Sequence, residues 1–326
     1  MQVFVRLSLT LLLLFIFVSF EDSGAETVKI AIPSTTQAVL PFTIARDKGY
    51  YRAEGLDVEL ILMSAPAASR ALLSDDVAVA TVGGAGLPPV LRGSPCKFLF
   101  TTYNRAMFWL FAKPEIRDVR GLKGKRIGVS GIGSCPDSLL REILRQNGLD
   151  ANRDVAVLSL GVMPTIFAGL QAGTVDAAML SPPVTFKAEE AGFRELVSFP
   201  KQDLVELQGS VLVRDASLQS NRAQMERFLR GTYKGFLHVK EDRTGTIPFI
   251  ARYLQLRERL AANAYDQVVR PAMTPDGTLS SEMQAKAVEH VLKRLDLNEA
   301  PPLAKIFDFS LTRKIMGELK GWRSAP

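Results

Sequence analysis

The chain of 326 residues holds two cysteines and two histidines, so few side chains can act as nucleophile or imidazole base. Cys135 stands in Arg126-Ile-Gly-Val-Ser-Gly-Ile-Gly-Ser-Cys-Pro-Asp, where a strand over Arg126–Ser130 is expected to pass through a Gly131–Gly133 loop into a helix over Pro136–Gln146, closed by Asn147-Gly148. A thiol at a helix start has a lowered pKa and could serve as a nucleophile. No base is in prospect, because His238 and His290 both fall in strongly helical C-terminal segments whose spacing gives neither a reason to reach residue 135. Cys135 is therefore read as an unreactive small residue of a pocket or turn. The main chain offers more: Ser134 suits an N-cap, and Pro136 and Asp137 suit a first turn. The helix should begin with free N–H groups at the positive end of its dipole, able to hold an anion or a carbonyl oxygen. Glycines at 128, 131 and 133 do not make G-x-G-x-x-G, and the Lys-Ser/Thr of a P-loop is missing, so neither nucleotide motif is present.

The elements that must position this loop occur twice. Lys29-Ile-Ala-Ile-Pro-Ser, a helical segment and Glu54-Gly-Leu-Asp run parallel to Arg126-Ile-Gly-Val-Ser-Gly, a helical segment and Asn147-Gly-Leu-Asp. Ala71–Gly83 then lies against Gly169–Ser181 in the same way. The offset is 97 residues from Lys29 to Arg126 and 98 from Gly83 to Ser181, which describes two successive α/β units. In the first, Val28–Ile32, Asp57–Leu62 and Val77–Val82 read as strands and Ala65–Leu73 as a short helix, with Pro41 opening another helix. Parallel strands feeding helices place their loops at the carboxyl edge of a sheet, where open α/β sheets bind ligands. If the two units face each other, their loops meet across one cleft.

Residues 1–25 read as a secretory signal: Arg6, an apolar run over Leu7–Phe20, and Ser23-Gly24-Ala25 as cleavage site. The run is short for a membrane span, and no cysteine follows it to carry a lipid. Removing these residues takes away Arg6, Glu21 and Asp22 and changes the net charge from +6 to +7. The basic residues are scattered, without the stripe that nucleic acid would require. The mature chain, with 47% hydrophobic residues over the whole sequence, is long enough for two lobes. A disulfide between Cys96 and Cys135 would pin two units that need to move, so the two are expected unbridged.

Pro41-Phe-Thr-Ile-Ala-Arg-Asp-Lys-Gly-Tyr-Tyr-Arg-Ala-Glu-Gly-Leu-Asp-Val58 resembles the opening motif of the periplasmic substrate-binding proteins of ABC importers for nitrate, alkanesulfonates and taurine, a family that also contains thiamine-pyrimidine-precursor binders. Gly121–Val129 is similar to that family's entry into its second lobe, and Gly173-Thr-Val-Asp-Ala-Ala178 to its G-x-[VI]-D-A turn. The resemblance covers most of residues 27–200. It implies a type II periplasmic-binding fold: two α/β lobes, each a mostly parallel sheet flanked by helices, with a helical C-terminal part. Lobe I would comprise 26–117 plus 213–326 and lobe II 118–212, with hinges near 117–120 and 209–213. The mechanism implied is closure over a small solute rather than chemistry.

The family's ligand loops map to Ser34, Thr35, Thr36 and Gln37, to Gly83, Gly84 and Ala85, to Gly133, Ser134 and Cys135, and to Ser181 and Pro182, with Ser181 as a further N-cap. Tyr103, Asn104, Trp109 and Phe186 are candidates for contacts to cations or neutral rings, or else core, and Arg105 for pairing a sulfonate or carboxylate. Met225, Phe228, Leu229, Tyr233, Phe236 and Leu237 share one face of a helix over Asn221–Lys240, and Glu282–Leu295 and Leu311–Lys320 are further amphipathic runs that pad lobe I. The function expected is that of a soluble, monomeric periplasmic binding protein that hands a small anion such as a sulfonate, nitrate or carboxylate to a permease, without cofactor, metal or catalysis. An enzyme on the same fold and a sensory binding partner are the alternatives.

Overall fold

The computed structural model describes residues 25–33, 35–202, 204–295 and 297–324. The expected signal segment lies outside them apart from Ala25, and so does Ser34.

Strands β1 (Glu26–Ile32), β2 (Leu56–Leu62), β3 (Val79–Ala80), β4 (Cys96–Arg105), β5 (Trp109–Ala112), β6 (Arg126–Val129), β7 (Ala156–Ser159), β8 (Ala177–Leu180), β9 (Arg194–Ser198) and β10 (Val205–Arg214) form two five-stranded sheets. Their orders are β2-β1-β3-β10-β4 and β7-β6-β8-β5-β9. The first three strands of each order run parallel and the last two alternate antiparallel. The duplication is visible in the register, with Ile30 opposite Val79 in one sheet and Ile127 opposite Ala177 in the other. Helices α1 (Leu40–Asp47), α2 (Ala65–Leu73) and α3 (Leu87–Leu91) belong with the first sheet, and α4 (Cys135–Gln146), α5 (Met163–Gln171) and α6 (Val184–Glu190) with the second. The C-terminal part adds α7 (Asp215–Ser220), α8 (Arg222–Glu241), α9 (Arg243–Tyr253), α10 (Glu258–Ala264), α11 (Arg270–Ala272), α12 (Ser281–Leu295), α13 (Leu303–Ile306) and α14 (Ser310–Glu318). Among the described residues no helix is long and apolar enough to cross a membrane.

Each sheet separates two cores because strand side chains alternate between faces. Val28, Ile30 and Ile32 join Phe42, Phe228 and Phe236 on one side of the first sheet, while Ala31, Ala80 and Phe98 join Leu72, Val90 and Val291 on the other. In the second sheet Ile127 and Val129 face Leu139, Leu140 and Leu144, whereas Phe111 and Ala178 face Ile166 and Leu170. The apolar face expected on the long C-terminal helix is the one that α8 buries, with Leu237 only partly covered.

The motif residues are largely scaffold. Tyr51 stacks on Phe228 with ring centroids 5.4 Å apart, and its hydroxyl lies 2.9 Å from Thr232 Oγ1. Asp176 of the G-x-V-D-A turn accepts from Lys113 Nζ at 2.7 Å and from Arg126 N and Nε at 3.1 and 3.2 Å, tying the end of β5 to the starts of β6 and β8. Burial alone would raise the Asp176 pKa, but the hydrogen bonds from Arg126 and Lys113 outweigh it and hold the carboxyl well below the usual range. Cys96 and Cys135 are not bridged, one at the start of β4 and the other at the start of α4.

The lobe boundaries differ from the expectation. β5 already belongs to the second sheet although it precedes the expected crossing at 117–120, and the second expected crossing at 209–213 lies inside β10 of the first sheet. The chain instead passes between sheets at 105–109 and 198–205. The reason is pairing: β5 closes antiparallel on both β8 and β9, and β10 runs along β4 for most of its length, so neither strand can be shared.

Candidate ligand-binding site

Both crossings leave and enter at carboxyl edges. Arg105 at the end of β4 pairs with Val205 at the start of β10, and Trp109 at the start of β5 lies between Leu180 and Ser198. The turns after β1 and β3 therefore sit on the same side of the first sheet as the crossings, and the turns after β6 and β8 on the matching side of the second. Arg105 Nη1 donates to Pro200 O at 3.0 Å and Phe199 N to Phe108 O at 3.1 Å, lacing the two crossing segments together. Arg105 is exposed, and one of its guanidinium donors is used in that contact.

On the first edge the Gln37–Val39 turn opens α1, with Gln37 buried to 1% exposure and Thr36 also buried. Tyr103, fully buried on β4, donates its hydroxyl to Gln37 O at 3.2 Å. Burial raises the phenol pKa far above neutrality, so Tyr103 remains a donor. The Gln37 side-chain oxygen has no hydrogen-bond partner among the described residues. Thr35 is exposed and its hydroxyl bonds the Tyr253 phenol. Two close approaches lock β10 against these turns. A Cβ on Gly209 would overlap Ala38 O, and a Cβ on Gly84 would overlap the carboxylate of Glu206, which is 4% exposed. Gly83 is equally tight against Leu207 O, while Ala85 is half-buried. Gln37 is thus joined to Tyr103, and Gly83 and Gly84 to Leu207 and Glu206 of β10, while Asn104 turns aside to donate to Met283 Sδ at 3.2 Å.

On the second edge the glycine loop departs from expectation. Ser134 makes no side-chain cap and instead donates to Gly131 O at 2.6 Å, with Ser130 Oγ 3.2 Å away. Asp137 Oδ2 accepts from Gly133 N at 2.8 Å, and Arg141 Nε lies 3.0 Å from both of its oxygens. A buried carboxylate from the first turn of α4 thus takes up the loop's Gly133 N–H, and its charge lies at the positive end of the helix dipole. Cys135 is half-buried as the first helical residue. Ser181 is not an N-cap, since α6 begins at Val184 with Pro183 before it; its hydroxyl is buried and without a partner among the described residues, beside buried Pro182. His290 lies close enough to α4 to act electrostatically on Glu142, two turns beyond Cys135.

The lobes touch at their margins. Phe186 of α6 packs with the first lobe's core, and Trp109 packs against cores of both sheets. Arg259 Nη2 approaches Glu190 Oε1 at 3.5 Å. Sequence reading missed Glu206, which carries no local motif, and the role of Asp137, for which Ser134-Cys-Pro-Asp137 was a signal: an acid three residues after an N-cap tends to reach back to the loop.

The family model described as NMT1/THI5 like matches residues 36–243. A riboflavin-binding protein of Chloroflexus aurantiacus is 27% identical over 204 residues, which is 60% of this chain and 57% of that protein's length. A Bordetella bronchiseptica protein of known structure superposes with a TM-score of 0.77 at 20% identity, covering 91% of this chain and 99% of the other. The alkanesulfonate-binding protein of Xanthomonas axonopodis pv. citri, solved with MOPS bound, gives 0.67 at 20% identity over 85% and 95%. The fold is thus the two-lobed one of the periplasmic binding proteins, and the chain belongs to the NMT1/THI5-like family.

Proposed function

We propose that this chain is the solute-capturing component of an ABC importer, acting as a monomer outside the cytoplasmic membrane once residues 1–25 are removed, and delivering its cargo to a permease without chemical change. The observation that carries this reading is a pair of buried polar atoms without partners among the described residues: Gln37 Oε1 on one carboxyl edge and Ser181 Oγ on the other. An orphaned buried acceptor or hydroxyl costs about 1–3 kcal/mol, so a solute that satisfies both is stabilised and favours closure of one lobe on the other. Beside the anion expected from the loop pattern stands a neutral solute with an N–H or O–H, since the orphan amide oxygen of Gln37 asks for a donor. Asp137, paired with Arg141, occupies the Gly133 N–H, so the glycine loop does not offer that donor to a solute. A relative named for riboflavin, an uncharged ring system, supports the neutral solute.

Calorimetry and thermal-shift measurements on the mature chain with riboflavin, thiamine, uracil, taurine and nitrate test it. Saturable binding should raise the melting temperature by mass action. Turnover of a bound compound, or saturable binding to none of them, would sink the transport reading.

A further inference from the structure

Phe186 and Glu190 lie four residues apart on α6, so both stand on one face of a helix that belongs to the second lobe. That face meets the first lobe. Phe186 is 8% exposed and joins the cluster that holds Leu260, Ala261 and Ala264 of α10, while Glu190 Oε1 lies 3.5 Å from Arg259 Nη2 on the same α10. α6 follows β8, the middle strand of its sheet, so this contact is separate from the crossings, which use β4, β5, β9 and β10. The mouth of the cleft, by contrast, is not sealed. Leu62 at the end of β2 and Val162 after β7 belong to the outermost strands on the side away from the crossings, and they are 57% and 58% exposed.

We infer that α6 and α10 form a clasp between the lobes, with Phe186 as its anchor and the Arg259–Glu190 pair as its guide, which limits how far the lobes part while the mouth stays unsealed. Two forces of different size act there. Withdrawing a phenylalanine ring from apolar surroundings is costly, whereas an ion pair whose side chains are 75% and 53% exposed adds orientation and little energy. The clasp therefore resists parting chiefly through one ring. It also has a line to the proposed site: Ser181, whose hydroxyl has no partner among the described residues, is separated from α6 only by Pro182 and Pro183. On the reading of the cleft as a solute site, a solute bound at Ser181 bears on the segment that carries the anchor.

Small-angle X-ray scattering of the mature chain without added solute tests the clasp, comparing the parent with Phe186→Ala, with Arg259→Glu, and with Arg259→Glu combined with Glu190→Arg. The expected result is a larger radius of gyration in Phe186→Ala, a smaller increase in Arg259→Glu, and return to the parent value when the two charges are exchanged. That return is a response that a merely damaged fold would not give. Arg259 is exposed, so its variants report even if Phe186→Ala loses its cooperative melt. A radius of gyration unchanged from the parent in every folded variant overturns the clasp. So does an increase in Arg259→Glu that the charge exchange leaves in place. Because no solute is present, either failure leaves solute capture standing, and a failed thermal-shift screen leaves the clasp standing.

Discussion

Ala78 and Asp176 occupy matching places in the two sheets. Each donates its backbone N–H to the first strand of its sheet, Ala78 to Lys29 O at 3.0 Å and Asp176 to Arg126 O at 2.8 Å. Only Asp176 adds a carboxylate, bonded to Lys113 and Arg126. The duplicated backbone is therefore held by different means. The first sheet is buttressed by the C-terminal helices, whose aromatic residues supply much of its core, whereas the smaller second lobe is pinned by ions at the edge away from the cleft. The carboxyl edges diverge in the same spirit, with close glycine packing in the first lobe and an internally satisfied loop in the second.

Glycine substitution should expose this difference most sharply. Gly209 has φ +59° and no room for a side chain, whereas Gly133 has φ +78° and open space around it. Gly209→Ala is expected to cost about 3 kcal/mol or more, strain and overlap combined, and Gly133→Ala about 1 kcal/mol. Equal costs in urea unfolding would remove the contrast. Asp176→Ala should cost about 2 kcal/mol by loss of charged hydrogen bonds. Because the folded-state pKa of Asp176 is depressed, its contribution is present above the ordinary carboxylate pKa and lost as pH falls through the lower folded value. The parent should therefore shed stability in strong acid more steeply than Asp176→Asn, and parallel curves would argue against the pin.

The first lobe has its own acid sensitivity at milder pH. His238 is buried, with Nδ1 2.7 Å from Ser324 Oγ and 3.3 Å from the Tyr50 hydroxyl. Burial lowers its pKa against the opposing pull of Asp242. The unfolded chain then takes up a proton more readily than the folded one, so stability falls as pH drops below about 6.5. His238→Gln should therefore flatten the melting-temperature profile between pH 7 and 5. The smallest effect is kinetic. Burial pushes the Cys96 thiol up to about 11, while half-buried Cys135 opens α4, so a thiol reagent should label Cys135 first. A bound solute that leaves that rate unchanged would place Cys135 outside the site.

Much of the scaffold was legible because its signals are local or periodic. The 97-residue echo, the β6-loop-α4 passage and the apolar face of α8 each rest on short-range pattern. What escaped depends on distant pairing. β5 reads as an ordinary apolar run, and only its ladder with β8 and β9 assigns it to the second sheet. Glu206 is a lone acid in a strand until Gly84 is brought beneath it from more than a hundred residues away. The loop before α4 failed differently: its glycines suggested open donors, and the acid needed to fill one was present four residues on.

Trp109 begins β5 immediately after the first crossing and leans on hydrophobic side chains of both halves. The chain's other tryptophan, Trp322, packs edge-on to Tyr50 far along the C-terminal part. Any swing of one half against the other must alter the surroundings of one indole and spare the second. The protein thus carries its own optical gauge of opening, with an internal reference, and needs no attached dye.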